Sequence, residues 1–253
     1  MKKYEKEGSL SWYHGKNIRT AKSFLNLLKT CEESDYYAFS DQDDYWFPDK
    51  IQKGLEDLEG REKPAIYFSN AALVESDLRE MGKMVYRRIP ENNVYNVLCA
   101  PNVLGCTMIF NHSMAQLIRQ YPEPKRLIMH DAYLAAVCMV LRGEIIYDHR
   151  PGLKYRQHGN NVLGIKNKKV EIIRQRISEI FRKQEVSIQV QAKEILDIYE
   201  NIMPGKEKEF VKIVSEYNRN LFTRIALSIS RKTKYITKNM AFTIRMSIFL
   251  GKR

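Results

Sequence analysis

Apolar positions along the chain follow two periods, and the switches between them outline an α/β pattern. Asp35-Tyr36-Tyr37-Ala38-Phe39-Ser40 is a short aromatic run that ends in polar residues, as a buried strand entering a loop does. Pro48 suits a first helical turn, Ile51, Leu55 and Leu58 follow at helical spacing, and Gly60 stops the helix. Ala65-Ile66-Tyr67-Phe68-Ser69 and Gly105-Cys106-Thr107-Met108-Ile109-Phe110-Asn111 read as further strands. His112 to Gln120 reads as a short helix closed by Tyr121-Pro122-Glu123-Pro124. Asp131 to Leu141 is apolar through Leu134, Val137, Cys138 and Leu141, a helix with Gly143 as its stop, and Glu144-Ile145-Ile146-Tyr147 reads as another strand. Strands alternating with helices predict a mixed or mostly parallel sheet, with ligands at the carboxyl ends of the strands. From about Lys169 the pattern turns helical, broken at Met203-Pro204-Gly205. The expected organisation is therefore a core over 1–167 and a helical extension over 168–253.

Charge follows the same division. Residues 1–165 carry 22 Lys and Arg against 21 Asp and Glu, whereas 166–253 carry 20 against 9, and no acidic residue follows Glu216. The core is near neutral, so the basic character of the chain belongs to its tail. There, Arg224, Arg231, Lys238, Arg245 and Lys252 recur every seven residues, and Phe222, Ile229, Ile236 and Leu250 lie two positions earlier. An offset of two residues is about 200° on a helix, so the stripes face opposite ways. That pattern predicts an amphipathic helix over 217–253 on an anionic membrane surface. A helix packed on the core with a solvated basic face is the competing reading. Nucleic acid is not an expected partner, because the core has no basic aromatic patch. Cys31, Cys99, Cys106 and Cys138 form no C-x-x-C pair and read as reduced thiols. The first residues include no apolar run, so a secretory signal is not expected. A cytoplasmic location, peripheral on the inner face of the membrane, follows.

Three segments carry candidate chemistry. Asp41, Asp43 and Asp44 place three carboxylates within four residues at the end of a buried strand, where they repel one another unless a cation sits among them. Oxygen donors at this density suit Mg²⁺ or Mn²⁺ holding a diphosphate. A calcium loop starting at Asp41 would need Gly at its sixth position and Glu at its twelfth, and Trp46 and Gln52 stand there. A phosphohydrolase with an aspartyl nucleophile lacks its later acidic pair. Asp131, at the start of a helix, would be kept ionised by the helix dipole, as a general base requires. Tyr155-Arg156-Gln157-His158-Gly159-Asn160-Asn161 gathers a cation, an imidazole and amides in one loop. There Arg156 could neutralise diphosphate charge, and His158 could ligate a metal.

In order and spacing, these segments resemble the bacterial family 2 glycosyltransferases, in particular the rhamnosyltransferase-like branch. The residues that match are Asn17 with Ser23-Phe24, the run Ser40 to Ile51, and Asn102 with Gly105-Cys106-Thr107 and Phe110-Asn111. His130-Asp131-Ala132-Tyr133 and Tyr155 to Asn161 complete the set, over roughly 10–165. The resemblance implies a Rossmann-like GT-A core and inverting transfer of a sugar, plausibly rhamnose, in cell-surface polysaccharide synthesis. The donor would be a dTDP- or UDP-sugar and the acceptor a glycan or lipid-linked glycan. It implies Asp43 and Asp41 as metal ligands, with His158 as a third, and Asp41, Gln42, Asp43 and Arg156 as donor-binding residues. Asp131 would be the base, and Trp46, Asn102, Gly105, Cys106, Thr107 and His130 would line the acceptor side. Two departures stand out. Arg19 occupies a position where relatives have Gly, so that turn is expected to differ. Tyr4 to Phe24 already reads as the family's third segment, so an N-terminally truncated member is expected. The alternative is a non-catalytic remnant or partner subunit.

Overall fold

The computed structural model describes residues 2–157, 186–230, 232 and 238–252. Helix α1 (Lys2–Lys6) precedes α2 (Thr20–Thr30), strand β1 (Tyr36–Ala38), β2 (Tyr45–Trp46) and helix α3 (Lys50–Leu58). Next come β3 (Ala65–Val74), β4 (Glu80–Met84), α4 (Val94–Cys99), a 3₁₀ turn at Gly105–Thr107, β5 (Met108–Asn111) and α5 (His112–Gln120). Helix α6 (His130–Val140) then leads into β6 (Glu144–Arg156). Among the described residues four helices follow, α7 (Ile188–Tyr199), α8 (Gly205–Glu216), α9 (Leu221–Ile229) and α10 (Lys238–Phe249).

The strands form one mixed sheet in the order β1-β5-β3-β6-β2, with β4 also paired to β3. Of the two predicted arrangements the mixed one holds. Only β3 and β6 pair in parallel, and the other four pairings are antiparallel. Because β5 is antiparallel to both β1 and β3, strands β1, β3 and β6 all run the same way. Their carboxyl ends therefore share one edge of the sheet, and β5 begins at that same edge. Helix α6 runs back against β6, so its first turn arrives there too.

Alternation along β3 and β5 sorts the core into two faces. Ile66, Phe68 and Phe110 join the large cluster with α2, α5 and α6, while Ala65, Tyr67 and Ile109 pack with Leu58 of α3. The same large cluster takes in Ile188, Ile195, Val211, Tyr217, Leu227, Ile244 and Ile248, so the C-terminal helices share the core of the sheet. The boundary expected near 167 lies outside the described residues.

Several predicted elements change at their ends. Gly105-Cys106-Thr107 is a 3₁₀ turn rather than the start of a strand. Tyr155 and Arg156 close the long β6 instead of opening a loop. The single amphipathic tail helix is replaced by α9 and α10, because the backbone leaves the helix at Ser230 with φ −55° and ψ 129°. Arg142, at φ 58°, is the left-handed residue that ends α6. Gly143 follows it where a Cβ would lie 2.4 Å from the Pro64 carbonyl oxygen.

Arg19 shows what its side chain costs. Its backbone adopts φ 71° and ψ 155°, a region that only glycine enters freely. The turn is nonetheless intact: Asn17 Oδ1 accepts from the Arg19 N–H, and Ser23 donates back to the Arg19 carbonyl. The turn thus keeps a glycine-like shape despite the arginine. Arg19→Gly is expected to raise stability by about 1 kcal/mol, or roughly 2–4 °C in melting temperature. Thermal unfolding of the two proteins checks this, and an unchanged or lower midpoint counts against strain at the turn.

Candidate active site

The shared edge brings together the loop after β1, the 3₁₀ turn before β5, the first turn of α6 and the end of β6. The loop from Ser40 to Asp44 is held from β6. Arg156 Nε donates to the Asp43 carbonyl at 2.9 Å, its backbone N–H reaches Asp44 Oδ1 at 3.4 Å, and its Nη1 donates to the Ser76 carbonyl. Arg156 therefore spends part of its donor capacity shaping the acidic loop.

Within that loop, Asp41, Asp44 and Cys106 place their ligand atoms within 4.8 Å of one another. Burial raises the carboxyl groups of Asp41 and Asp44 above the usual range, and repulsion adds to this, from Asp43 and Asp131 at Asp41 and from Asp41 and Asp43 at Asp44. Such a pair gains from a divalent cation. Beyond the Cys106 thiol at Asp44, the buried Oδ2 of Asp44 has no hydrogen-bond partner among the described residues, so the carboxylate pair fits a hard ion. The Cys106 thiol is pushed far up by burial and by both carboxylates, so it stays protonated beside Asp44. Asp44, which the family resemblance leaves out of the metal ligands, is part of this cluster, whereas Asp43, which it names, is not one of the three. Gln42 is exposed. His158 and Gly159 to Asn161 lie outside the described residues.

Lys50 is the residue that the sequence pattern hid. It sits in the first turn of α3, where lysine is ordinarily solvated, yet it is 1% exposed. Its face also carries Gly54 and Leu58, both buried. The ammonium lies 3.2 Å from the centre of the Trp46 ring and donates to the Cys106 carbonyl at 2.9 Å. Burial lowers its pKa to about 7, against the pull of Cys106, Asp44 and Asp41. The Trp46 ring is thus engaged by Lys50, while its buried Nε1 has no partner.

Asp131 stands apart from the acidic loop. Its Oδ2 accepts from the Gly105 N–H at 2.9 Å and its Oδ1 from the Ala132 N–H at 2.7 Å. Those bonds favour the carboxylate, but burial outweighs them and lifts the pKa to about 6. Helix position alone predicted an ordinary ionised aspartate, so the shift is a finding of the structure. Next to it, His130 is 3% exposed, stacked on Phe24 at 4.1 Å and edge-on to Phe39 at 4.8 Å. Burial lowers its pKa to about 4, so the imidazole is neutral at physiological pH, and neither ring nitrogen has a partner. Gly105 makes room for it, since a Cβ there would lie 2.6 Å from His130 Nε2. Asn102 Oδ1 and both side-chain polar atoms of Gln157 are likewise buried without partners. Thr107 is fully buried, with its hydroxyl committed to the Leu104 carbonyl at 2.7 Å, so it shapes the turn.

No family model matches the chain, and no solved structure matches it. Over 154 residues it is 25% identical to a dTDP-rhamnosyl transferase, RfbG, of Shigella flexneri, a match covering 56% of this chain and 50% of that protein. The chain thus spans about half the length of the curated relative it matches. This weak similarity suggests a glycosyltransferase. The mixed α/β sheet with helices after it is compatible with a Rossmann-like core of that class. Among the described residues, no helix is long and apolar enough to cross a membrane.

Proposed function

We propose that this chain carries the catalytic core of an inverting, family 2-type glycosyltransferase with a GT-A fold. It would move a sugar, with rhamnose favoured, from a dTDP- or UDP-linked donor to a hydroxyl of a glycan or lipid-linked glycan. A lipid-linked acceptor would place it on the cytoplasmic face of a membrane, in polysaccharide synthesis. The observation that carries the reading is the separation of roles at one sheet edge. A carboxylate cluster suited to a cation and a distinct carboxylate with a raised pKa share that edge, and buried polar atoms on Asp44, Trp46, Asn102, His130 and Gln157 have no hydrogen-bond partner among the described residues. Buried polar groups left unsatisfied cost about 1–3 kcal/mol each, and a polar ligand relieves that cost.

In this reading Asp131 accepts the proton of the acceptor hydroxyl as its oxygen attacks the anomeric carbon. The bond from that carbon to the diphosphate oxygen breaks, and the diphosphate leaves with the electron pair. Asp41 and Asp44, with Asp43 beside them, would hold Mg²⁺ or Mn²⁺, which supplies charge neutralisation to the departing diphosphate. His158 would complete the ligand set. Gln42 and Arg156 belong to the donor side, and Trp46, Asn102, Gly105, Cys106 and His130 belong to the acceptor side, with Thr107 shaping its turn.

Calorimetric titration with dTDP and with UDP in Mn²⁺ tests the reading. Wild-type protein is expected to bind one nucleotide in a metal-dependent way, and Asp44→Asn and Asp43→Ala to bind at least tenfold more weakly, about 1.4 kcal/mol. Absence of heat with the wild-type protein would favour a non-catalytic relative of such enzymes.

A further inference from the structure

We propose that the outer face of the α9–α10 hairpin docks on an anionic lipid bilayer. The inner faces of the two helices are settled by burial: Leu227 on α9, and Ile244 and Ile248 on α10, join the core of the sheet. At 100° per residue, Phe222 and Ile229 lie within about 20° of each other and far around α9 from Leu227, and Phe242 and Phe249 stand in the same relation to Ile244. Both inner faces meet one core, so both apolar outer faces point away from it. The exposures agree, at 80% for Phe222, 66% for Ile229, 62% for Phe242 and 40% for Phe249.

This arrangement inverts the competing reading. A helix packed on the core through Phe222 and Ile229 would leave its arginines in water. Instead the phenylalanines are in water, and Arg224 and Arg245 turn inward, reaching the carbonyls of Asn218 and Ser230. Four large apolar side chains so exposed on two neighbouring helices mark a surface for interaction.

Charge selects the occupant. Residues 217–253 contain nine Lys and Arg and no Asp or Glu, which leaves seven cations besides the inward-turned Arg224 and Arg245. A polybasic element with protruding Phe and Ile matches the headgroup and acyl boundary of an anionic bilayer, where cations meet phosphates and apolar side chains leave water. The helices have 9 and 12 residues, too few to span a bilayer, so they would lie along its surface. An acidic protein surface would satisfy the cations but leave the apolar tips exposed. The inference is independent of the chemistry proposed for Asp131, because docking needs no substrate.

Flotation of the whole chain with phosphatidylcholine vesicles, with and without phosphatidylglycerol, tests it. The protein is expected to float only with the anionic vesicles. A Phe222→Ser/Phe242→Ser double variant is expected to lose roughly tenfold or more in affinity, since two insertion sites are removed. Both side chains are exposed, so the variant should fold, as circular dichroism would verify. Phe222→Trp should in addition shift its emission to the blue on anionic vesicles. The proposal is overturned by failure to float, by equal flotation with neutral vesicles, by undiminished binding of the double variant, or by single-stranded RNA displacing the protein from vesicles.

Discussion

Replacing Asp131 with asparagine is expected to slow sugar transfer about 10²–10⁴-fold while nucleotide affinity stays within about twofold. The hydrogen bonds of this carboxylate go to Gly105 and Ala132 and its charge only repels Asp41, so its loss removes proton acceptance without removing the diphosphate site. The pH profile carries the same information. A general base works only when ionised, and this carboxyl is half protonated at about pH 6. On the proposed reading, release of nucleoside diphosphate from the sugar donor should therefore fall about tenfold per unit below that pH and level off above it, and Asp131→Asn should lack that limb. A profile flat down to pH 4.5 in the wild-type protein, or equal rates in the two proteins, would remove Asp131 from the role of base.

The same group makes a stability statement of opposite sign to the usual carboxylate case. Its folded pKa is raised from 3.8 to about 6, so the native state holds the proton more tightly than the unfolded chain. Its contribution to stability is present below about pH 4, declines as pH rises to about 6, and is absent above. Asp41 and Asp44 are shifted in the same direction. Ligand-free Asp44→Asn, whose Oδ1 can still accept from the Arg156 N–H, should melt higher than wild type at neutral pH and lose that advantage as the pH falls. Melting curves at a series of pH values check this. A gain that grew toward acid would contradict the assigned direction.

How far the sequence disclosed this arrangement depends on how local each signal is. The helix His112–Gln120 and the strand Tyr36–Ala38 are set by patterns contained within them, and both lie where those patterns put them. The candidate carboxylates were also visible, because three aspartates after an apolar run are a local fact. The parts that depend on pairing were not. The two-residue β2 and the edge strand β4 carry too little periodicity to stand out, and β3 continues through the polar Ser69 and Asn70 because both are buried in the sheet. Antiparallel β5 places its preceding turn beside Asp131, a relation that no spacing encodes. Lys50 was hidden for a related reason. Its type argues for solvent, and only the face it shares with Gly54 and Leu58 says otherwise. The tail stripes were legible as periodicity, but their orientation was not, since Leu227, Ile244 and Ile248 had to be seen packing before Phe222 could be placed outside.

Gly105→Ala should damage both stability and transfer. A methyl group at 105 would lie 2.6 Å from His130 Nε2 and 3.3 Å from both Asp131 Cβ and Oδ2. His130 has nowhere to go, stacked on Phe24 and set edge-on to Phe39. The start of α6 or the 3₁₀ turn must therefore retreat, and Lys50 resists the latter by holding the Cys106 carbonyl. Overpacking of this kind costs about 1–3 kcal/mol, or several degrees in melting temperature at about 2–4 °C per kcal/mol. The Gly105 N–H bond to Asp131 lengthens with the same movement, and a displacement near 1 Å at a reacting group can cost about a hundredfold in rate. Gly205→Ala supplies the control, because a methyl group there meets nothing within 4 Å at the start of α8. It should leave both the melting temperature and nucleoside diphosphate release close to wild type. If Gly105→Ala behaved like Gly205→Ala, the close approach of the turn to His130 and Asp131 would be refuted, and with it the packing that fixes the base.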